Sequence, residues 1–230
     1  MNKIIVLAIC STLLLQLSSC KVDTYDLPSE TLTGSLVLSD GSQFITEQPN
    51  GFRIKLNEVV DGAISTLPQY FWGKADGTFN NSKIFKGIYI VQPVEGAFFE
   101  VDPVEVEISG TTTLTFEVTP FLKILADIST SGPDLIGRYR IHKSEGAGKI
   151  MTARLLVSKW NPNVGMNRID FEAVRDFSQI DDKKVVSTTY MDTILNCLEP
   201  GVTYYVRVAA LAANTSGRYN LSEVIKLEIL

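Results

Sequence analysis

The sequence predicts an all-β protein: two tandem β-sandwiches behind a cleavable N-terminal signal. Three observations predict it. From Thr31 onward apolar residues recur at every second position, as in Phe52-Arg53-Ile54-Lys55-Leu56, which marks strands with one buried and one wet face. Turn signals separate these runs at short spacing: Ser39-Asp40-Gly41, Pro49-Asn50-Gly51, Asp61-Gly62, Asp76-Gly77 and Ser109-Gly110. No amphipathic helical pattern extends beyond a turn or two. The composition agrees: 230 residues, 45% hydrophobic and 20% charged, is that of a globular chain and excludes disordered, collagen-like and coiled-coil classes.

Residues 1–19 read as an export signal. Lys3 supplies the positive start, and Ile4 to Leu17 form an apolar stretch shorter than the roughly 20 residues of a membrane span. Leu17-Ser18-Ser19-Cys20 resembles a bacterial lipobox. That resemblance implies diacylglyceryl attachment to the Cys20 thiol, cleavage before Cys20 and acylation of the new N-terminus with a fatty acid such as palmitate. Cys20 is thus the expected lipidation site and a bilayer the expected partner, since two or more chains anchor stably at about 0.8 kcal/mol per buried methylene. Residues 20–30 are a polar tether carrying Asp23, Asp26 and Glu30. Acidic residues after the acylated Cys favour export to the outer surface in Bacteroidetes-type lipoproteins. The expected location is the outer membrane, on the cell surface, with the periplasmic face as the alternative. Of three cysteines, Cys10 leaves with the signal and Cys20 carries lipid, so no internal disulfide is expected. Cys197 lies in the apolar run Ile194 to Leu198 and reads as a buried small hydrophobe.

Residues 31–119 are the first expected sandwich. Val104, Val106 and Ile108 alternate with Glu105 and Glu107, and Leu114, Phe116 and Val118 with Thr115 and Glu117. The segment Phe71-Trp72-Gly73-Lys74-Ala75-Asp76-Gly77-Thr78-Phe79, followed by Gly87-Ile88-Tyr89, resembles the carboxypeptidase-regulatory-like, or transthyretin-like, sandwich. Asp76-Gly77 is its tight turn, Phe79 and Tyr89 its core plugs, and Trp72 is read as core.

Residues 120–230 are the second. Seven strands are expected, at 121–128, 135–143, 150–158, 168–174, 185–195, 203–211 and 224–229, the strand count of an Ig-like sandwich. Leu198-Glu199-Pro200-Gly201, then Tyr204 and an alternating strand, resembles the fibronectin type III pattern. Tyr204 is then a tyrosine corner, its hydroxyl reaching back to the preceding turn, with Val206 and Val208 inward and Arg207 outward. The tryptophan usual early in that family is replaced by Tyr139 and Ile141. Lipobox, tether and both sandwiches together resemble an uncharacterised family of two-domain lipoproteins from Bacteroidetes polysaccharide-utilisation loci. The segments that carry this are Thr46 to Gly51, Asp76 to Asn81, Val118-Thr119-Pro120 and Tyr139-Arg140-Ile141. The resemblance implies SusC-like and SusD-like partners and a role in polysaccharide uptake.

The residues point away from catalysis. A net charge of −5 without a basic cluster excludes nucleic acid as an expected partner. A single histidine, His142, projects from the strand face opposite Tyr139 and Ile141 and reads as solvated. No nucleophile elbow, zincin or phosphate-loop motif occurs. Glu95 with Glu100, and Asp181 with Asp182, are possible carboxylate pairs but read as solubilising acids. Asp76, Thr78 and Asn80 start like a Ca²⁺ loop that no distal Glu completes. No enzyme activity, metal or cofactor is expected.

Aromatic side chains remain. Trp160, flanked by Asn161 and Asn163, reads either as a sugar-stacking platform or, preferred on sequence, as a cap on one end of the second sandwich. Phe98 and Phe99 are further candidate ligand contacts, with packing between the sandwiches as the preferred reading. The expected function is a non-enzymatic glycan-binding or accessory lipoprotein. The alternative is a structural or protein-interaction module of the same assembly.

Overall fold

The computed structural model describes residues 26–230. The signal, Cys20 and the tether up to residue 25 lie outside the described residues. Two β-sandwiches follow one another along the chain. The first comprises β1 (Glu30–Val37), β2 (Arg53–Val60), β3 (Ala63–Ile64), β4 (Gln69–Trp72), β5 (Thr78–Ile84), β6 (Gly87–Val94), β7 (Val104–Ile108) and β8 (Thr111–Glu117). One sheet has the order β5-β1-β8; the other is β3-β2-β6-β7, with β4 also pairing to β2. β1 runs antiparallel to β5 and parallel to β8.

The alternation places Phe52, Ile54 and Leu56 in the core at 0–1% exposure, against Phe79, Tyr89, Ile108 and Phe116. Each such side chain contributes about 1.5–3 kcal/mol through burial. Val104 stays exposed at the sheet edge. At Gly77 φ is +76°, the left-handed geometry the turn requires, and the Asp76 carboxylate accepts from the Thr78 N–H at 3.0 Å and hydroxyl at 2.7 Å. The Thr78 hydroxyl bond, above all, holds that carboxyl below its usual range. Gly34 serves a different need: a Cβ there would lie 1.9 Å from the Leu114 carbonyl oxygen and 2.5 Å from the Phe79 ring.

The second sandwich pairs β9 (Leu122–Ser131), β10 (Asp134–Lys143) and β13 (Tyr190–Ile194) in one sheet. The other contains β11 (Ile150–Ser158), β12 (Phe171–Asp176), β14 (Thr203–Ala212), β15 (Asn220–Leu221) and β16 (Ile225–Glu228). Tyr139, Ile141, Leu155, Phe177, Val206 and Val208 fill the core, and His142 projects to solvent. The Glu199 N–H donates to the Tyr204 hydroxyl at 2.9 Å, the geometry of a tyrosine corner. Cys197 is buried and has no disulfide partner among the described residues, and burial pushes its thiol pKa up.

Four expectations need correction. Residues 185–187 are not strand: α1 (Asp182–Ser187) forms because the Asp181 side chain caps it, accepting from the Lys183 N–H at 2.7 Å. The strand expected from 168 begins at Phe171, since Arg168 takes φ +60° and the Asp170 carboxylate is drawn back to the Lys159 N–H at 2.7 Å. Arg207 does leave the core face, but loop 159–170 and residues 219–224 cover that face. A third apolar cluster of Leu156, Val164 and Ala209, with Met166, Ile169 and Tyr219 against it, leaves Arg207 3% exposed. Trp72 is 41% exposed, because its neighbour Phe71 takes the inward position against Phe79.

The sandwiches meet through polar and aromatic contacts. The Asn220 amide donates to the Ala97 carbonyl at 2.8 Å, and its oxygen accepts from the Leu122 N–H at 3.0 Å. Phe99 packs edge-on to Phe121 with ring centroids 5.0 Å apart.

Candidate functional site

The loop leaving β11 holds Trp160. The Ser158 hydroxyl accepts from the Trp160 N–H at 3.3 Å and the Asn161 N–H at 3.1 Å, and lies 3.2 Å from the Asp170 carboxylate. The Asn161 side-chain oxygen accepts from the Asn163 N–H at 3.0 Å, closing a tight turn. Lys159 is tied to Glu199 at 2.6 Å, a bond that raises its ammonium pKa above the usual range. The backbone is thus fixed from several sides while the Trp160 ring is 83% exposed. It caps nothing, so the capping reading is withdrawn. Beside the ring lies a hollow of about 320 Å³ lined by Ser158, Asn161, Arg168, Ile169 and Asp170. Asn163 is exposed but stands outside that lining.

Phe98 and Phe99 part company. Phe98 is 5% exposed, packed in the first core edge-on to Phe44 at 5.6 Å, and it also contributes to the lining of the hollow between the sandwiches. Phe99 is half-buried and lines a hollow of about 790 Å³ between the sandwiches, with Lys55, Gln92, Glu100, Phe121 and Ser216 around it. Glu95 pairs with Arg53, Asp182 with Lys143 at 2.6 Å, and Asp181 caps α1. Three of the four carboxylates considered for catalysis therefore hold structure, while Glu100 is exposed and makes no ion pair among the described residues.

One arrangement was not foreseen from sequence. On β4, Tyr70 and Trp72 are 44% and 41% exposed. The Arg53 guanidinium lies 4.2 Å from the Tyr70 ring centroid and 5.4 Å from that of Trp72. Arg218 of the second sandwich lies 5.6 Å from the Trp72 centroid and pairs with Glu47 at 3.3 Å. The available signal was the alternation Tyr70-Phe71-Trp72, which allows only one of Phe71 and Trp72 to face inward.

Residues 30–119, the first sandwich, match a family described as "Protein of unknown function (DUF3823) N-terminal domain". The first sandwich is thus similar to the DUF3823 N-terminal domain. A DUF3823 family protein from Bacteroides uniformis has a crystal structure that matches 88% of this chain and 100% of its own, with 25% identity and a TM-score of 0.77. A DUF3823 family protein from Parabacteroides merdae shares the fold over the same proportions, with 22% identity and a TM-score of 0.68. So does a second Bacteroides uniformis protein, described as a "putative carbohydrate binding protein", with 21% identity and a TM-score of 0.69. No curated protein matches the chain. The likeness to the DUF3823 structures spans both sandwiches.

Proposed function

We propose that the protein is a non-enzymatic outer-membrane lipoprotein, anchored through Cys20, that captures glycan for a polysaccharide-uptake system with SusC-like and SusD-like partners. The observation that carries the reading is Trp160, 83% exposed on a loop whose backbone is fixed by Ser158 and Asp170. Sugars offer apolar C–H faces that stack on such a ring, and hydroxyls that need donors and acceptors beside it. Asn161, Arg168 and Asp170 stand beside the ring for that purpose. The Bacteroides uniformis protein described as carbohydrate binding has the same fold, which supports this use of it.

An open site of this kind gives weak affinity, about 1 mM to 1 μM. Many tethered copies meeting one polymer raise the effective concentration of each site, and fast release suits transfer to a transporter. The test is retardation in polysaccharide affinity gels. Trp160→Ala is expected to lose the retardation contributed by its loop, with the melting temperature within a few degrees of the parent. Unchanged retardation removes Trp160 from the site. If no polysaccharide retards the parent protein, the interaction-module reading replaces glycan capture.

A further inference from the structure

We infer that the outer face of β4, β2 and β6, with the hollow it opens into, is a second sugar site that takes a neutral pyranose chain. The inference rests on the reading of the protein as a glycan-capturing one.

The register builds this face in rows. Trp72, Arg53 and Val94 lie side by side across β4, β2 and β6, and Tyr70, Lys55 and Gln92 form the next row. Tyr70 and Trp72 are two residues apart on one strand, so both rings stand on one face, about 7 Å apart. Their exposure is not slack. Arg53 lies between the rings and is held by Glu95, while Arg218, held by Glu47, adjoins Trp72 from the second sandwich. Rings fixed before binding lose little further freedom when a ligand stacks on them.

The second row leads into the hollow. Lys55 and Gln92 line it, as do Phe99, Glu100 and Ser216 from the junction. Gln92 donates its amide N–H to the Val101 carbonyl at 2.8 Å, and its oxygen accepts no hydrogen bond among the described residues. Lys55 has no ion pair or side-chain hydrogen bond among the described residues. It brings three donors to a space of about 790 Å³, within the range of small-molecule sites of about 300–1,000 Å³.

Charge decides the class of sugar. Arg53 and Arg218 are each matched by a carboxylate, and the Lys55 cation shares the lining of the hollow with the Glu100 carboxylate. The site carries no surplus charge to select uronates or sulfated chains. Rings, an amide oxygen and an ammonium suit neutral hydroxylated rings. Tyr, Trp and Arg also mark protein-contact hot spots, but here a concavity of mixed polar and apolar lining, not a flat apolar patch, adjoins the rings.

The experiment uses the full chain in detergent, with soluble xylan, mannan and β-glucan as neutral probes and polygalacturonate as the acidic one. Tyr70→Ala removes an exposed ring without touching the core, so the melting temperature stays within a few degrees. Expected are a tenfold or greater loss of affinity for whichever neutral chain the parent binds, no change in parent affinity in 0.5 M NaCl, and a further loss when Trp160→Ala is added. Parent-like neutral binding by Tyr70→Ala, with loss in Trp160→Ala, overturns this site and leaves the Trp160 reading standing. Loss in Tyr70→Ala with parent-like binding in Trp160→Ala does the reverse. Preference for polygalacturonate, abolished by salt, overturns the neutral class. Failure of every polysaccharide overturns both sites, and the Tyr70–Arg53–Trp72 row then becomes a protein contact.

Discussion

Arg218 of the second sandwich reaches across the junction to the Glu47 carboxylate of the first, 3.3 Å away, and Glu47 is only 7% exposed. Burial pushes the Glu47 carboxyl pKa up, and the Arg218 bond and charge offset only part of that. A carboxyl raised in the folded state binds its proton more readily there than in the unfolded chain. Its stabilising contribution is therefore greatest below its ordinary value of 4.5 and declines as pH rises through the raised value. Melting curves from pH 4 to 7 should show the parent losing stability relative to Glu47→Gln across that window. Parallel pH profiles for the two proteins would contradict this account.

Arg207 is a buried cation with no ion pair among the described residues, and its Nε has no hydrogen-bond partner. Burial pulls its pKa down to about 10, against a small opposing effect of Glu223. Charged groups so placed are often more costly than apolar ones of similar length. Arg207→Met should raise stability by about 1–3 kcal/mol, read as a higher urea midpoint with an unchanged slope.

Tyr204→Phe leaves the Glu199 N–H without its acceptor. A loss of about 1–2 kcal/mol is expected, again from the urea midpoint. An unchanged midpoint means the corner contributes nothing.

Gly34→Ala forces a Cβ against the Leu114 carbonyl, which is backbone and cannot swing aside. The expected cost is about 3 kcal/mol, the upper end of the usual range for overpacking, confined to the first sandwich. Each sandwich holds one tryptophan, Trp72 and Trp160, so single-tryptophan variants can follow the two unfolding transitions separately.

Cys20→Ala should abolish labelling by radioactive palmitate and release the protein from membranes. Persistent labelling and sedimentation with membranes would remove the lipobox reading.

What sequence conveyed and what it concealed divide along physical lines. Phe52, Ile54, Leu56, Phe79 and Tyr89 were legible because a strand's inward face depends on its own alternation. Tyr204 was legible because its partner, Glu199, is five residues away. Arg207 was not, since its burial depends on Val164, Met166 and Tyr219 arriving from distant segments. The helix over Asp182–Ser187 was hidden by the β-branched Val185 and Val186, although the Asp181 cap was there to be read. In the candidate sites, Trp160 could be named but not its exposure. The Tyr70–Arg53–Trp72 row was invisible because it exists only through the register of β4 on β2.

The position of β1 has a consequence for synthesis. This first strand of the sandwich lies between β5 and β8, and the Glu30 carboxylate accepts from the Gly110 N–H eighty residues later. At about 5–20 residues per second, roughly 4–16 s separate the emergence of β1 from that of its parallel partner. Through that interval Leu32 and Leu36 have no completed core to enter. A nascent chain halted before residue 111 should remain protease-sensitive and bind holdase chaperones, whereas one extended past residue 120 should resist cleavage between its first eight strands.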